Sequence, residues 1–179
     1  MQHLEQKAPN FPEWALSNFY VLRSNAYLKS ARAFQNLGGV NIDYSLLRFE
    51  SMRPLMQQIE SRYVTELIGS VLDAELRPLD TSTDAKKNAL LDYARKFIAN
   101  KTAELYTSEK TLSKSKVNDI RPVYFDLQYT GNFYADQAAF YYGKLEQAYK
   151  DYLTSIGQTI ANGALEWNEK GKSLFIDIG

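Results

Sequence analysis

The stretch DAKKNALLDYARKFIANKTAELYT, residues 84–107, has the most regular pattern in the chain. Its apolar side chains recur every three or four positions, a spacing that puts them on one face of an α-helix. They are Ala89, Leu90, Tyr93, Ala94, Phe97, Ile98 and Leu105. Thr83 is a suitable N-cap, and Asp84 supplies negative charge where the helix dipole favours it. The pattern therefore predicts a long helix that ends near residue 107.

The chain before this stretch also has helical spacing. Residues 12–37 are predicted to form an N-terminal helix, which Asn10 can cap and in which Pro12 occupies the first turn. Gly38-Gly39 is expected to end it, since glycine adopts the left-handed conformation of a helix C-terminus without strain.

A second helix is predicted between the first helix and residue 69. Its N-cap is either Asp43 or Ser51, and Pro54 predicts a break with a fresh start near Ser51, because proline cannot continue a helical hydrogen-bond ladder. Gly69 is expected to end this helix, and a short helix is predicted over residues 70–77.

The pattern changes after residue 107. Residues 108–120, SEKTLSKSKVNDI, have little to bury and predict a mobile loop or a projecting arm. Residues 123–129 alternate in a way typical of a β-strand, so a small β element is predicted at about 121–130. A final long helix is predicted over 133–161, and the last residues, LFIDIG, resemble a short strand.

The predicted fold class is mainly α, a bundle of four to five helices with a small β element and a strand-like C-terminal tail. We expect one helical domain over residues 1–179. Its predicted parts are an N-terminal helix 12–37, core helices 43–107, a projecting loop and strand 108–131, a long helix 133–161 and a C-terminal tail 162–179.

Composition and net charge limit the classes of function that this chain can have. The 179 residues are 45% hydrophobic and 23% charged, as in globular proteins, and contain 21 basic and 21 acidic residues. No whole-chain charge therefore attracts nucleic acid or an anionic membrane. No apolar run is long enough to span a membrane, and the N-terminus lacks the pattern of a signal peptide. We expect synthesis in a cytoplasm, with function there or in a particle that leaves it.

The sequence offers little for catalysis. There is no cysteine, and the only histidine is His3, which removes thiolate chemistry and most zinc sites. No phosphate-binding glycine loop is present. The best acidic pair on one helix is Asp73 with Glu75, which we interpret as a solvated surface. We therefore predict that the chain is not an enzyme and has no cofactor or metal, although an all-carboxylate metal site or acidic active site stays open.

A group of basic residues lies in the predicted arm and just after it. Its members are Lys110, Lys114, Lys116 and Arg121. One interpretation is a solvated loop, and the other is contact with DNA phosphates or an acidic partner. The neighbouring Glu109 and Asp119 weaken the second interpretation.

Aromatic residues are concentrated near the C-terminal end. Seven of the 13 tyrosines and three of the nine phenylalanines lie between Tyr124 and Tyr152. They either pack in the core or form an interface, where tyrosine is enriched. The tail could add a strand to the sheet edge of a neighbour. The candidate interface residues are Tyr124, Phe125, Tyr129, Phe133, Tyr134, Leu174, Phe175 and Ile176.

Three segments resemble a known family. They are SMRPLMQQIESRYVTELIGSVLDAEL (51–76), LLDYARKFIANKTAELYTSE (90–109) and the end of the chain, WNEKGKSLFIDIG. Their order resembles an uncharacterised family of Bacteroidales phage and prophage proteins, DUF6712, whose helical layout is similar to that of head–tail connectors of tailed phages. The resemblance covers roughly residues 45–179.

The resemblance implies a structural virion protein, assembled in the bacterial host cytoplasm and located in the virion. It implies identical subunits in a ring around the DNA channel, portal or tail proteins as partners, non-specific DNA proximity and no membrane. Residues 108–131 and the tail would then reach neighbouring subunits, and head-to-tail contacts that close form rings. The alternatives are a helical adaptor of a bacterial cytoplasm and an enzyme with an acidic active site.

Overall fold

The computed structural model describes residues 24–114 and 121–158, and within them the side chains of 24–107 and 132–158. The described part of the chain is mainly helical and contains no strand. In chain order its helices are α1 Ala31–Asn36, α2 Leu46–Ile59, a π-helical segment Glu60–Thr65, α3 Glu66–Ile68, α4 Ser70–Leu76, α5 Ala85–Lys114 and α6 Arg121–Ser155.

Helices α5 and α6 form a long antiparallel pair. Contacts at two points along the pair have the same antiparallel register. The ammonium of Lys87 lies over the Tyr152 ring, and the rings of Phe97 and Tyr142 are 5.1 Å apart. Helices α1 and α2 pack against α5. The pair is therefore the framework on which the rest of the described chain is arranged.

Fully buried side chains from several helices form the core. Phe34 of α1, Phe49 of α2, Leu90 of α5 and Leu145 of α6 are each 0% exposed. Burial of an apolar side chain of this size stabilises a fold by roughly 2 kcal/mol. An aromatic cluster extends the core, because the Tyr63 ring of the π-helical segment lies 5.6 Å from Phe97 of α5 and 6.3 Å from Tyr142 of α6.

The predicted β element at 121–130 is wrong. Those residues belong to α6, which begins at Arg121 and continues without interruption past residue 130. Apolar and aromatic residues are so dense over 123–129 that the alternation does not separate a strand from a helix. The predicted loop also starts too early, because α5 continues to Lys114. The predicted C-terminal tail, 162–179, lies outside the described residues.

The prediction of one continuous N-terminal helix over 12–37 is wrong at residues 25–30. Residues 25–30 are not helical, and α1 begins at Ala31 with Ser30 as its N-cap. The first half lies outside the described residues. The predicted end is confirmed: Gly38 has a φ of +106°, and the N–H of Gly39 donates to the carbonyl of Phe34 at 2.9 Å, which is a Schellman C-cap.

The predicted break at Pro54 is also wrong. Helix α2 is capped by Ser45, whose side chain accepts from the N–H of Arg48, and the helix runs through Pro54. Pro54 is exposed, so the hydrogen bond that it cannot make is lost on the solvent side of the helix. Gly69, with a φ of +80°, precedes the predicted short helix, which is confirmed as α4.

The N-cap predicted for α5 is one residue too early. The carboxylate of Asp84 accepts from the N–H of Lys86 at 2.8 Å, and Thr83 has no capping role. Aspartate is at least as good a cap as threonine, so the local sequence is consistent with either position.

Candidate functional site

The predicted interface residues fall into three groups. Tyr124, Phe125 and Tyr129 lie in the backbone of α6, but their side chains are outside the described part. Phe133 is 53% exposed, and Tyr134 is half-buried with its ring 5.5 Å from that of Phe133. The third group, in the tail, lies outside the described residues: Leu174, Phe175 and Ile176.

The predicted basic group lies at the end of the long helix pair. Lys110 is in α5, Lys114 is the last residue of α5, and Arg121 is the first residue of α6. Lys116 lies outside the described residues. Lys110, Lys114 and Arg121 therefore lie in helices, and the prediction that Lys110 and Lys114 belong to a loop is wrong.

One side of α6 is exposed along the described helix. Phe133, Asp136, Phe140 and Lys144 follow one another at intervals of three or four residues, and all four are exposed. We call this side the outer surface of α6. Phe140 is 55% exposed, and the opposite side of the helix contains the buried Ala138, Leu145 and Ala148. Two large aromatic side chains thus face outward on a helix whose other side forms the core.

The outer surface of α6 has one acidic and one basic side chain, Asp136 and Lys144. Neither Asp136 nor Lys144 forms an ion pair with a described residue. The ammonium of Lys144 lies 5.5 Å from the centre of the Phe140 ring, a cation–π distance. Few side-chain atoms project from the helix beside this ring, because Ala139 is small and a Cβ added at Gly143 would meet nothing within 4 Å.

A second feature is a buried cluster of charges, which we call the ionic cluster: Glu60, Asp73 and Arg77, with the polar groups of Thr65 and Tyr27. Nη1 of Arg77 lies 2.8 Å from Oε2 of Glu60, and its Nε lies 2.7 Å from Oδ2 of Asp73. Nη2 of Arg77 donates to Oγ1 of Thr65 at 3.1 Å. One guanidinium therefore bridges the π-helical segment and α4.

The ionic cluster also binds the N-terminal segment. The hydroxyl of Tyr27 donates to Oδ1 of Asp73 at 3.0 Å, and its backbone N–H donates to Oε1 of Glu60 at 3.3 Å. Arg95 of α5 donates to the carbonyl oxygens of Tyr27 and Leu79 at 3.1 and 2.5 Å. These bonds satisfy the backbone N–H and C=O of Tyr27 without a helix, which gives a physical reason why residues 25–30 are not helical.

Burial changes the acidity of the cluster. Burial raises the pKa of Glu60 to about 7, although the charge of Arg77 and the N–H of Tyr27 act in the opposite direction. Burial, and after it the nearby charge of Asp73, raises the pKa of Tyr27 above its usual value. The pKa of Arg77 is raised by its hydrogen bond to Asp73 and the charges of both carboxylates, despite its desolvation.

The interpretation of Asp73 as a solvated residue is wrong. Asp73 is buried, with 5% exposure for the residue, whereas Glu75 is exposed and pairs with Lys87. Sequence analysis also missed Glu60, which lies four residues after the buried Met56. A carboxylate at helical spacing within an apolar stripe was the signal that could have identified it.

The ionic cluster is suited to holding segments together. Each carboxylate oxygen of Glu60 and Asp73 has a hydrogen-bond donor within the cluster. Over residues 24–114 and 121–158, no group of three potential ligands is arranged to hold a metal ion. The cluster therefore joins residues 25–30, the π-helical segment and α4, and the outer surface of α6 is the more accessible candidate for contact with other molecules.

Comparison with known proteins identified no significant relative of this chain. No protein-family description, curated protein or solved structure matches the chain at a significant level. Among the described helices, none is both long enough and apolar enough to cross a membrane.

Proposed function

We propose that this protein is a structural assembly subunit that acts through protein–protein contacts made by the outer surface of α6. The observation that carries the proposal is the exposure of Phe133 and Phe140, each more than half exposed, on a helix anchored from its other side. Large aromatic side chains bury much apolar area with few rotatable bonds, so they are effective contact residues.

The setting proposed for this subunit is a phage-like particle, as a head–tail connector or a ring subunit close to the portal. Two features support it: the resemblance over roughly residues 45–179 and a rigid helical body with aromatic residues facing outward. Its partners would be identical subunits and portal or tail proteins, and its location would be the virion. Basic residues at the ends of α5 and α6 would lie near DNA.

The second candidate is a helical adaptor of a bacterial cytoplasm. The same outer surface favours it, because an exposed aromatic helix face can also bind a helix of another protein. The two candidates differ in whether the purified chain assembles with itself.

Light scattering over a concentration series, with electron micrographs of any large species, tests the proposal. We expect the mean mass to rise with concentration, and rings in the micrographs would support the connector. A monomer at every concentration would contradict self-assembly and favour the adaptor.

A deletion tests the proposed role of the C-terminal tail. Removal of residues 172–179 is expected to leave the helical circular-dichroism signal unchanged but to weaken self-association, since an extended segment can add to a neighbour. Removal of residues 1–8, an equally long segment at the other end, serves as the control. Loss of the helical signal after the C-terminal deletion would show that the tail belongs to the core instead.

A further inference from the structure

The outer surface of α6 has opposite charges on the two sides of Phe140. Asp136 lies four residues before Phe140 and Lys144 lies four residues after it, so each charge is about 6 Å from the ring along the helix axis. A spacing of four residues keeps all three side chains on one side of the helix. The surface is therefore acidic on one side of a central aromatic ring and basic on the other.

We infer that the outer surface of α6 binds the same surface of a second copy of this chain, with the two helices antiparallel and a two-fold axis passing through Phe140. In this arrangement Asp136 of each copy lies at the same level as Lys144 of the other copy. The pairing forms two ion pairs from charges that have no ionic partner among the described residues.

The centre of the same surface suits close packing. Phe140 is 55% exposed in the single chain, and it would contact Phe140 of the second copy. Ala139 and Gly143 beside it have little or no side chain, and the space at Gly143 is open, so the two helices can approach each other. An aromatic centre with charges at its edge is the usual arrangement of a protein–protein interface.

The next aromatic residue along the helix fits the same register. Phe133 lies seven residues before Phe140, and the exposed Gln147 lies seven residues after it. The antiparallel pairing therefore places Phe133 of one copy beside Gln147 of the other. Gln147 is uncharged, so this contact buries no charge against the Phe133 ring.

This inference rests on the proposed function, because it names the partner of the surface assigned there. A contact of this symmetry closes on itself and produces a dimer. A ring then requires a second, head-to-tail contact elsewhere on the subunit. The pairing and the assembly function can therefore fail separately.

Charge reversal tests the pairing in the full-length protein, with the dimer dissociation constant measured by sedimentation. Asp136→Lys or Lys144→Asp alone replaces two attractive contacts with two repulsive ones, so each is expected to weaken the dimer about tenfold. The double variant restores opposite charges and is expected to return to within about twofold of the original value. Glu66→Lys, which makes the same change at an exposed residue of α3, should have no effect.

Disulfide crosslinking tests the antiparallel register, because the chain contains no cysteine of its own. With Phe133→Cys and Gln147→Cys in the same chain, each cysteine would face the other position on the second copy, so oxidation should give a crosslinked dimer. With Phe133→Cys alone the two sulfur atoms would be about 21 Å apart along the axis, so crosslinking should be absent.

The outcomes separate the two hypotheses. Crosslinking with Phe133→Cys alone would indicate a parallel pair and overturn the inference, as would a double charge variant that is no tighter than the single variants. Assembly that proceeds equally in every variant would also overturn the pairing, while self-assembly through another contact would still be supported. A full-length chain that stays monomeric throughout would contradict both.

Discussion

Oε2 of Glu60 lies 2.8 Å from Nη1 of Arg77, and the carboxylate is almost completely removed from solvent, with 1% exposure for the residue. Glu60 is the first residue of the π-helical segment, and Arg77 is the C-cap of α4. A buried ion pair contributes little net stability when both charges are present, because desolvation offsets the attraction. Removal of one partner is different, since it leaves the other charge buried without compensation.

The first prediction concerns Arg77→Met. The variant keeps an apolar side chain of similar length but removes the cation between Glu60 and Asp73. We expect the free energy of unfolding to fall by about 3 kcal/mol at pH 8, measured by urea denaturation. The loss should be smaller at pH 5.5, because Glu60 can then bind a proton. Equal losses at both pH values would contradict this mechanism.

Arg48→Met is the matched control for this substitution. Arg48 also forms an ion pair, with Asp43, but both side chains are more than half exposed. Ion pairs of this kind contribute under about 1 kcal/mol. A similar loss of stability in both variants would show that burial of the ionic cluster is not what makes Arg77 important.

The second prediction concerns the pH dependence that Glu60 produces. Its pKa in the folded protein is raised from 4.5 to about 7, so between these values the folded chain binds a proton that the unfolded chain lacks. The contribution of this group to stability is therefore largest below pH 4.5 and is lost as pH rises through 7. The groups that act on it are Arg77, Tyr27, Asp73 and Arg53.

Glu60→Gln replaces the titrating group with a neutral one of the same shape. Relative to the unsubstituted protein, its free energy of unfolding should rise by up to about 3 kcal/mol between pH 4.5 and 8. Urea denaturation of both proteins across this range measures the difference, in which the effects of all other carboxylates cancel. A difference that is independent of pH would show that Glu60 does not titrate in this range.

The third prediction concerns Tyr27→Phe, which removes the hydroxyl that donates to Asp73 at 3.0 Å. A hydrogen bond to a charged acceptor contributes about 2 kcal/mol, so unfolding should require that much less free energy. Backbone amides of residues 25–30 should also exchange with solvent faster, because this bond holds their segment against α4. Tyr44→Phe is the control: Tyr44 is 53% exposed, and its loss of a hydroxyl should change neither measurement.

The sequence predictions were correct where the structure depends on residues close together in the chain, and wrong where it depends on residues far apart. The end of α1 at Gly38 and the short α4 after Gly69 were predicted because glycine conformation and helix spacing act within a few residues. The 25–30 segment could not be predicted in the same way. It is held by Glu60 and Asp73, which are more than 30 residues away along the chain.

The error at 121–130 has a different cause. Because most side chains there are apolar or aromatic, the periodicity fits both a strand and a helix. Packing against α5 decides between them. Helix α5 extends to Lys114, so the chain that returns along it continues as a second helix. For the candidate site, the predicted interface residue Phe133 is 53% exposed, and its contact role stays a prediction. The burial of Asp73 was not predicted, because it depends on Arg77 and Tyr27 together.

The fourth prediction compares two glycines with opposite roles. Gly143 lies within α6, where a Cβ would meet nothing within 4 Å, so Gly143→Ala should raise the free energy of unfolding by about 0.7 kcal/mol. A Cβ on Gly39 would lie 2.5 Å from the ring of Phe34, which is fully buried and cannot move aside. Gly39→Ala should therefore lower it by about 2 kcal/mol.

Thermal unfolding at low protein concentration measures both variants without a contribution from association. The comparison isolates the space around each glycine, because the chemical change is the same in both. A stabilising effect of Gly39→Ala would mean that the contact between the α1 C-cap and Phe34 is looser than 2.5 Å implies. A destabilising effect of Gly143→Ala that appears only when the measurement is repeated at high protein concentration would mean that a second copy covers the outer surface of α6.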